Sequence, residues 1–264
     1  MSLSVHPTAI ISEGAKIGAN VSIGAFTLIG PNVVIGDNCK VSSHCVIEGH
    51  TTIGKNNQFF QFCSIGAPPQ DLTYKGEPTE VIIGENNIFR EYVSIHRGTL
   101  KEQGKTILGN NSLLMSYVHL GHDVVFGNNC VVANSTNFAG HVRVGDRVII
   151  GGGTNVSQFI TLGRGSYIGG ASAIDRDIPP FCTAYGNRSR LKGINIIGLK
   201  RQGYGKQQIT EIVDFYRTME SSALSPRAFV EHEELIAEYK DNPVIQEMIQ
   251  MIKVSEVGIA PFMA

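Results

Sequence analysis

The sequence predicts a mainly β protein, a parallel β-helix followed by an α-helical C-terminal domain, and three observations predict it. An apolar residue recurs at every sixth position over most of the chain. Glycine usually follows it. From about residue 187 this pattern gives way to helical spacing.

Counting by sixes from Val5 gives Ile11, Ile17, Ile23, Ile29, Ile35, Val41, Ile47, Ile53, Phe59 and Ile65 without a miss. The count breaks at Asp71 and Glu77, returns in phase at Ile83, Phe89 and Ile95, then shifts by one residue and runs from Leu108 through Leu120, Phe138 and Ile150 to Ile174. Neither a helix at 3.6 residues per turn nor a strand alternating at 2.0 keeps such a period. The glycines that follow, among them Gly18, Gly36, Gly54, Gly109 and Gly145, often precede Asn or Asp. They predict corners built on residues that tolerate positive φ. Each hexad is then a short strand plus a corner, and three hexads make one triangular coil of residues 1–187. Roughly nine or ten coils about 4.8 Å apart give a prism on the order of 45 Å long.

Cys39, Cys45, Cys63 and Cys130 each stand two residues before a core position, the slot filled elsewhere by Ala9, Ala15 and Val21. They read as small buried hydrophobes. No CxxC pair occurs, which fits a reducing compartment better than a disulfide framework or a thiolate zinc site. A net charge of −1 and a pI near 6.7 argue against a general nucleic-acid binder. The first residues, MSLSVHPTAIISEG, lack a basic segment and an adequate apolar run, and no run of eighteen apolar residues follows. A cytoplasmic, soluble protein is expected.

Two interruptions, at about 66–80 and 97–107, predict loops thrown out between coils, where a solenoid commonly carries its binding face. Residues 188–264 predict about three helices. Ile209, Ile212, Val213, Tyr216 and Met219 recur at helical spacing, and SPRAF and NPVIQ read as helix starts with Ser225 and Asn242 as N-caps. The stretch from Asn187 through Lys206 holds six basic residues and no acidic one. Arg188, Arg190 and Lys192 are therefore candidates to steer an acidic partner.

Four histidines fall off the core phase within a short span. His96 follows Ile95, His119 precedes Leu120, His122 lies two past Leu120 with Asp123 beside it, and His141 lies three past Phe138. Corner positions are expected to face outward, so these imidazoles are expected to gather on one edge of the prism, within or between subunits. Two chemistries use such a cluster: a zinc site, or a neutral histidine acting as general base with a carboxylate holding its tautomer.

The run IGANVSIGAFTLIGPNVVIG resembles the hexapeptide-repeat acyltransferases, whose fold is a left-handed β-helix. That hand runs against the right-handed crossover rule and is implied by the resemblance alone. Hexapeptide-repeat carbonic anhydrases share the scaffold, which keeps the zinc reading open. The segments QDLTYKGEPT, IHRGT, HLGHD, FAGH, IPPF and GLKRQG, in this order, resemble the UDP-N-acetylglucosamine O-acyltransferase family, which opens lipid A assembly. The related N-acyltransferases are expected to differ by a sizeable domain before their repeats, whereas here the repeats start at Val5.

This resemblance implies transfer of a 3-hydroxyacyl group from acyl carrier protein to the glucosamine 3-hydroxyl of UDP-N-acetylglucosamine. His122 would be the general base, Asp123 its orienting partner, and the Gly140 backbone N–H the oxyanion donor. Gln70, Asp71 and Tyr74 match substrate-contacting positions. His96, His119, His141, Gln158, Asn195 and Arg201 match positions near the sugar, nucleotide or pantetheine, and Gly170 matches the position that measures the acyl chain. A homotrimer is implied, with no metal and no cofactor beyond the carrier's phosphopantetheine thioester. Ser157, Ile197 and Gln202 depart from the family, which often has His, Glu and a second Arg there. Some members acylate a 3-amino sugar instead, and that alternative stands at this point.

Overall fold

The computed structural model describes residues 4–263; residues 1–3 of the expected first domain and Ala264 lie outside the described residues. Mostly two-residue strands alternate with four-residue corners, and the chain lays successive strands on three sheets in turn, one eleven-stranded, one nine-stranded and one eight-stranded. Pairing is parallel and typically joins residues one coil apart: Ile17 with Ile35, Ile23 with Val41 and Ile29 with Ile47. Every predicted core position therefore stacks on its counterpart in the next coil. From Ile23 to Ile174 these side chains are at most 4% exposed. Val5, where the count starts, is 37% exposed instead, because the first coil has a neighbour on one side only.

The glycine reading needs correction. The left-handed corner residue is the third after the apolar position, as at Asn20, Phe26, Asn38, Tyr92 and Asp123, and the glycine directly after the apolar residue is not left-handed at Gly18, Gly36, Gly54, Gly109 or Gly145. Glycine is required there by close stacking. A Cβ on Gly54 would lie 2.6 Å from Gly84 O, and one on Gly109 would lie 2.6 Å from Gly127 O. Such separations leave no room for a side chain between coils.

Each edge of the prism carries its own column. At the edge from the eight- to the eleven-stranded sheet, asparagines stack, and Asn20 Nδ2 donates to Asn38 Oδ1 at 3.1 Å as Asn56 does to Asn86. At the next edge Phe26, His44, Phe62, Tyr92 and Tyr117 stack face to face, with ring centroids 5.1, 5.1, 4.9 and 4.7 Å apart. Both insertions leave from the third edge, between Ser64–Ala67 and Glu80–Ile83 and between Ser94–His96 and Lys105–Leu108. The loops proper are 68–79 and 97–104, shorter than the sequence suggests because strand pairing claims their ends. His122–Asp123 and Gly140–His141 occupy this same edge in the next two coils.

The cysteines at the repeating slot, Cys39, Cys45, Cys63 and Cys130, are buried and unpaired, as is Cys182. Burial pushes the Cys130 thiol up to about 12, which suits a packing role.

The expected boundary at 187/188 falls inside a hairpin. Arg190–Ile194 pairs antiparallel with Cys182–Tyr185 and ends the eleven-stranded sheet, with Leu191 fully buried. Helices follow as α1 (Ile196–Arg201), α2 (Lys206–Ser221), α3 (Pro226–Glu231), α4 (Glu233–Ile236) and α5 (Pro243–Val254), with a 3₁₀ turn at Ala237–Tyr239. Ser225 accepts from the Ala228 N–H, and Asn242 accepts from those of Val244 and Ile245, so both predicted caps form. The α2 stripe turns Ile209, Ile212, Tyr216 and Met219 inward. Among the described residues no helix is long and apolar enough to cross a membrane.

Candidate active site

The corner after strand His119–Leu120 builds the centre. Asp123 adopts the left-handed conformation, φ 60°, which a short polar side chain tolerates. His122 Nδ1 lies 2.9 Å from Asp123 Oδ2. The expectation that these residues face outward is overturned: His122 is 6% exposed and Asp123 0%, because the 97–104 loop folds over their corner. From that loop the Thr99 N–H donates to Asp123 Oδ1 and Oδ2 at 2.9 and 3.1 Å, and its hydroxyl donates to Oδ2 at 2.6 Å. Burial raises the Asp123 carboxyl, but the hydrogen bonds from His122 and Thr99 outweigh it and hold the group below its ordinary range.

The His122 ring lies against Gly140 of the next coil. A Cβ there would be 2.4 Å from His122 Cε1 and 2.7 Å from Nε2, so the missing side chain makes room for the imidazole. No hydrogen bond engages the Gly140 N–H among the described residues. Gly140, His122, His96, His119, Gln70 and Gln158 line one depression of about 420 Å³ over the nine-stranded sheet.

Desolvation, with the neighbouring His119 and His122, pushes His96 down to about 4, and burial and His122 lower His119 as well. Near pH 7 both are neutral hydrogen-bonding groups rather than charges. The Ser94 hydroxyl engages His119 Nδ1 at 2.8 Å, and His96 Nδ1 is buried with no protein partner. His141 stacks on Phe159 at 4.5 Å and meets His122 edge-on at 5.0 Å. Its Nδ1 stands 3.5 Å from Glu102 Oε1 and 3.9 Å from Asp123 Oδ2, too far for a strong hydrogen bond. Ligand-type atoms of His122, Asp123 and His141 fall within 4.8 Å of one another, close enough for a divalent ion. Here the His122 and Asp123 atoms are engaged in hydrogen bonds instead.

The other sequence candidates distribute unevenly. Gln70 joins the depression, whereas Asp71 pairs with Lys101 Nζ at 2.5 Å and ties the two insertions together. Lys101, then Thr73, holds the Asp71 carboxyl well below the usual range. The Tyr74 hydroxyl donates to Glu77 O and accepts from Arg97 Nε, so it braces its own loop. Asn195 caps α1, accepting from the Gly198 N–H and donating to Gly165 O. With Arg201 it lines a separate depression beside Arg147 and Tyr167, on the eleven-stranded sheet. Gly170 lies on the aromatic edge beyond its last ring; the left-handed residue there is Ala171, φ 53°, so Gly170 is not held by a φ requirement.

Of the basic candidates, Arg188 Nε stands 3.5 Å from Asp175 Oδ2, Arg190 donates to Phe262 O, and Lys192 Nζ lies over the Tyr185 ring. All three sit on the closing hairpin or its turn. Sequence reasoning missed Thr99 and Glu102. They stand in the second insertion, and Thr99 ends the quoted IHRGT, but nothing in their spacing assigns them a partner.

Comparisons with known proteins give the chain its family and fold. A family model described as Udp N-acetylglucosamine O-acyltransferase, domain 2, matches residues 177–260, and the bacterial transferase hexapeptide model, six repeats, matches residues 14–49. The acyl-acyl-carrier-protein UDP-N-acetylglucosamine O-acyltransferase of Saccharophagus degradans is 44% identical over 255 residues, which cover 97% of this chain and 98% of the relative. The protein of the same name from Myxococcus xanthus matches to the same extent. A crystal structure of a UDP-N-acetylglucosamine acyltransferase superposes with a TM-score of 0.94 at 39% identity, covering 99% of this chain and 100% of that one. The acyltransferase of that name from Francisella novicida superposes at 0.91 and 39% identity, covering 97% of this chain and 94% of that one. The parallel β-helix is left-handed, the hand that the hexapeptide resemblance implies.

Proposed function

Because the chain belongs to the UDP-N-acetylglucosamine O-acyltransferase family, we propose that it transfers a 3-hydroxyacyl chain from acyl carrier protein to the glucosamine 3-hydroxyl of UDP-N-acetylglucosamine, the first step of lipid A biosynthesis. One observation carries the mechanism: His122, buried and paired with Asp123, and Gly140, whose backbone N–H has no hydrogen-bond partner among the described residues, line the same depression. A carboxylate only accepts, so the proton shared with Asp123 sits on Nδ1 and leaves Nε2 as the acceptor. His122 Nε2 takes the sugar hydroxyl proton as the oxygen attacks the thioester carbonyl, and the Gly140 N–H receives the oxyanion; when that intermediate collapses the C–S bond breaks, and the proton on His122 passes to the departing thiolate, which leaves as the carrier's thiol. The thioester is already activated, so neither a covalent intermediate nor a metal is required. Mass spectrometry of the products formed from UDP-N-acetylglucosamine and a series of 3-hydroxyacyl carrier proteins tests the proposal. An alkali-labile ester at O3 is expected; activity only with a 3-amino sugar, yielding an amide, would replace the acceptor.

We propose a homotrimer as the active form. Asn195 and Arg201 line a depression over the eleven-stranded sheet and His122 and Gln158 one over the nine-stranded sheet, so one nucleotide sugar reaching both sets draws them from two copies. The exposed aromatic column stands on the edge between those two sheets and supplies an apolar seam about which they can face one another. Light scattering is expected to give three times the chain mass of 28.6 kDa; an active monomer contradicts the shared site. Arg188, Arg190 and Lys192 are assigned to steering the acidic carrier protein. A cytoplasmic location is consistent with five unpaired cysteines.

Acyl length is assigned to Gly170. Burial alone discriminates weakly, about 0.8 kcal/mol or roughly fourfold per methylene, so a sharp preference needs a wall. The enzyme is expected to use one of the longer chains, and Gly170→Met to shift preference several carbons shorter at little cost in rate on the shorter donor. Relative rates across the donor series, read beside a melting curve, check this. Uniform loss with a lowered Tm would make Gly170 a packing residue.

A further inference from the structure

We propose that Thr99, supplied by the second insertion, is the positioning residue of the acid–base pair, fixing Asp123 so that it holds His122 in the tautomer with Nε2 free. The inference rests on the reading of His122 as general base and goes beyond it by giving the insertion a task in the chemistry.

Asp123 is fully buried, so water does not complete its coordination, and a buried carboxylate is costly unless hydrogen bonds surround it. Among the described residues, Thr99 supplies every donor to it besides His122, through the N–H to both oxygens and the hydroxyl to Oδ2. The hydroxyl also accepts from the Lys101 N–H at 3.3 Å. That fixes its direction, since a hydroxyl accepting from an amide is left to donate to the carboxylate. The strand after the loop adds one more anchor, as the Asp123 N–H donates to Thr106 Oγ1 at 2.9 Å. Between two such anchors the Asp123 side chain has one direction left, towards His122 Nδ1. Partners of this kind orient a histidine without touching substrate.

Four titratable groups face the pair. His96 and His119 come from the nine-stranded sheet, His141 from the next corner, and Glu102 from the insertion, itself paired with Arg143 at 3.2 Å. Thr99→Val changes none of them. It removes one charge-assisted hydrogen bond while keeping the backbone N–H and the side-chain shape. A carboxylate deprived of a donor binds the pair's proton more tightly, so the acid limb of the pH–kcat profile moves to higher pH.

The test measures kcat, KM for the nucleotide sugar and the pH profile in wild type, Thr99→Val and Thr99→Ser, with histidine-labelled NMR spectra of the wild type. In Thr99→Val, kcat at neutral pH is expected to fall about tenfold or more, with KM within about twofold and the acid limb shifted upward; Thr99→Ser restores all three. A lowered melting temperature with an unmoved limb and an unchanged kcat reduces Thr99 to a loop residue and overturns the proposal. Should Thr99→Val fail to fold, Thr99→Ala gives the same reading. The wild-type spectrum is decisive by itself: His122 protonated on Nε2 overturns the proposal. His122→Ala separates the two ideas, because full activity there removes the base reading, whereas a silent Thr99→Val beside an inactive His122→Ala removes only this one.

Discussion

His122→Ala is expected to lower kcat by about a hundredfold or more, towards the ten-thousandfold limit that a positioned general base commonly supplies, with the fold intact. The size follows from placement. His122 is 6% exposed and its Nδ1 is committed to Asp123, so neither bulk water nor a neighbouring group readily replaces its Nε2. His96 and His119 line the same depression, but His96 is pushed down to about 4 and His119 is lowered too, which makes them weak proton acceptors near pH 7. The fold should tolerate the loss, since His122 belongs to a corner and the core is carried by Leu120 and Phe126. Single-turnover rates beside a melting curve check the outcome. Near-normal turnover would falsify the assignment of His122.

Gly140→Ala should cost nearly as much without removing any functional group. The backbone of Gly140 is not left-handed, so alanine is compatible with its conformation. Its Cβ would nevertheless stand 2.4 Å from His122 Cε1, and a ring packed edge-on against His141 has little freedom to retreat. Displacing a reacting group by about 1 Å can cost on the order of a hundredfold, and a loss of that size in kcat is expected here. The double variant His122→Ala/Gly140→Ala separates this steric effect from the oxyanion assignment. If Gly140 matters only through the ring, the double variant is no slower than His122→Ala; if its N–H also binds the oxyanion and the alanine disturbs it, the losses compound.

Much of this was legible because a solenoid writes its geometry as a period. The hexad gave the prism, both interruptions and the edge on which His122 and His141 meet, and Pro226 and Pro243 marked two helix starts. The rest depends on contacts that the period does not carry. The burial of Asp123 is made by Thr99, twenty-four positions earlier and inside an insertion without register. The hairpin at Cys182–Tyr185 and Arg190–Ile194 hid behind a cluster of positive charge and a pattern with no strict alternation. The glycines were visible, but their reason was not: a left-handed corner and a close approach between coils select the same residue, and only the φ values and Cβ separations tell them apart. Asn195 and Arg201 matched by resemblance, yet nothing local places them over a different face of the prism from the depression that His122 lines.

The edge that carries both insertions also bears on how such a protein can change over generations. Across a regular coil, partners are eighteen positions apart, as Cys45 and Thr27 are, whereas across the inserted loops Asn87 pairs with Asn57 thirty positions away and Ser112 with Asn87 twenty-five away. Within a coil, gaining or losing one residue would turn every later apolar side chain off its stack, so length is frozen there. Duplicating or deleting a whole coil leaves the register untouched and alters only reach. At the edge where the chain already leaves the prism, length is free, and both departures open beside His122 and Asp123. Lineages built on this scaffold therefore have two independent routes to novelty, one adjusting the span of the rod in whole turns and the other redrawing the loops over a centre set in paired coils.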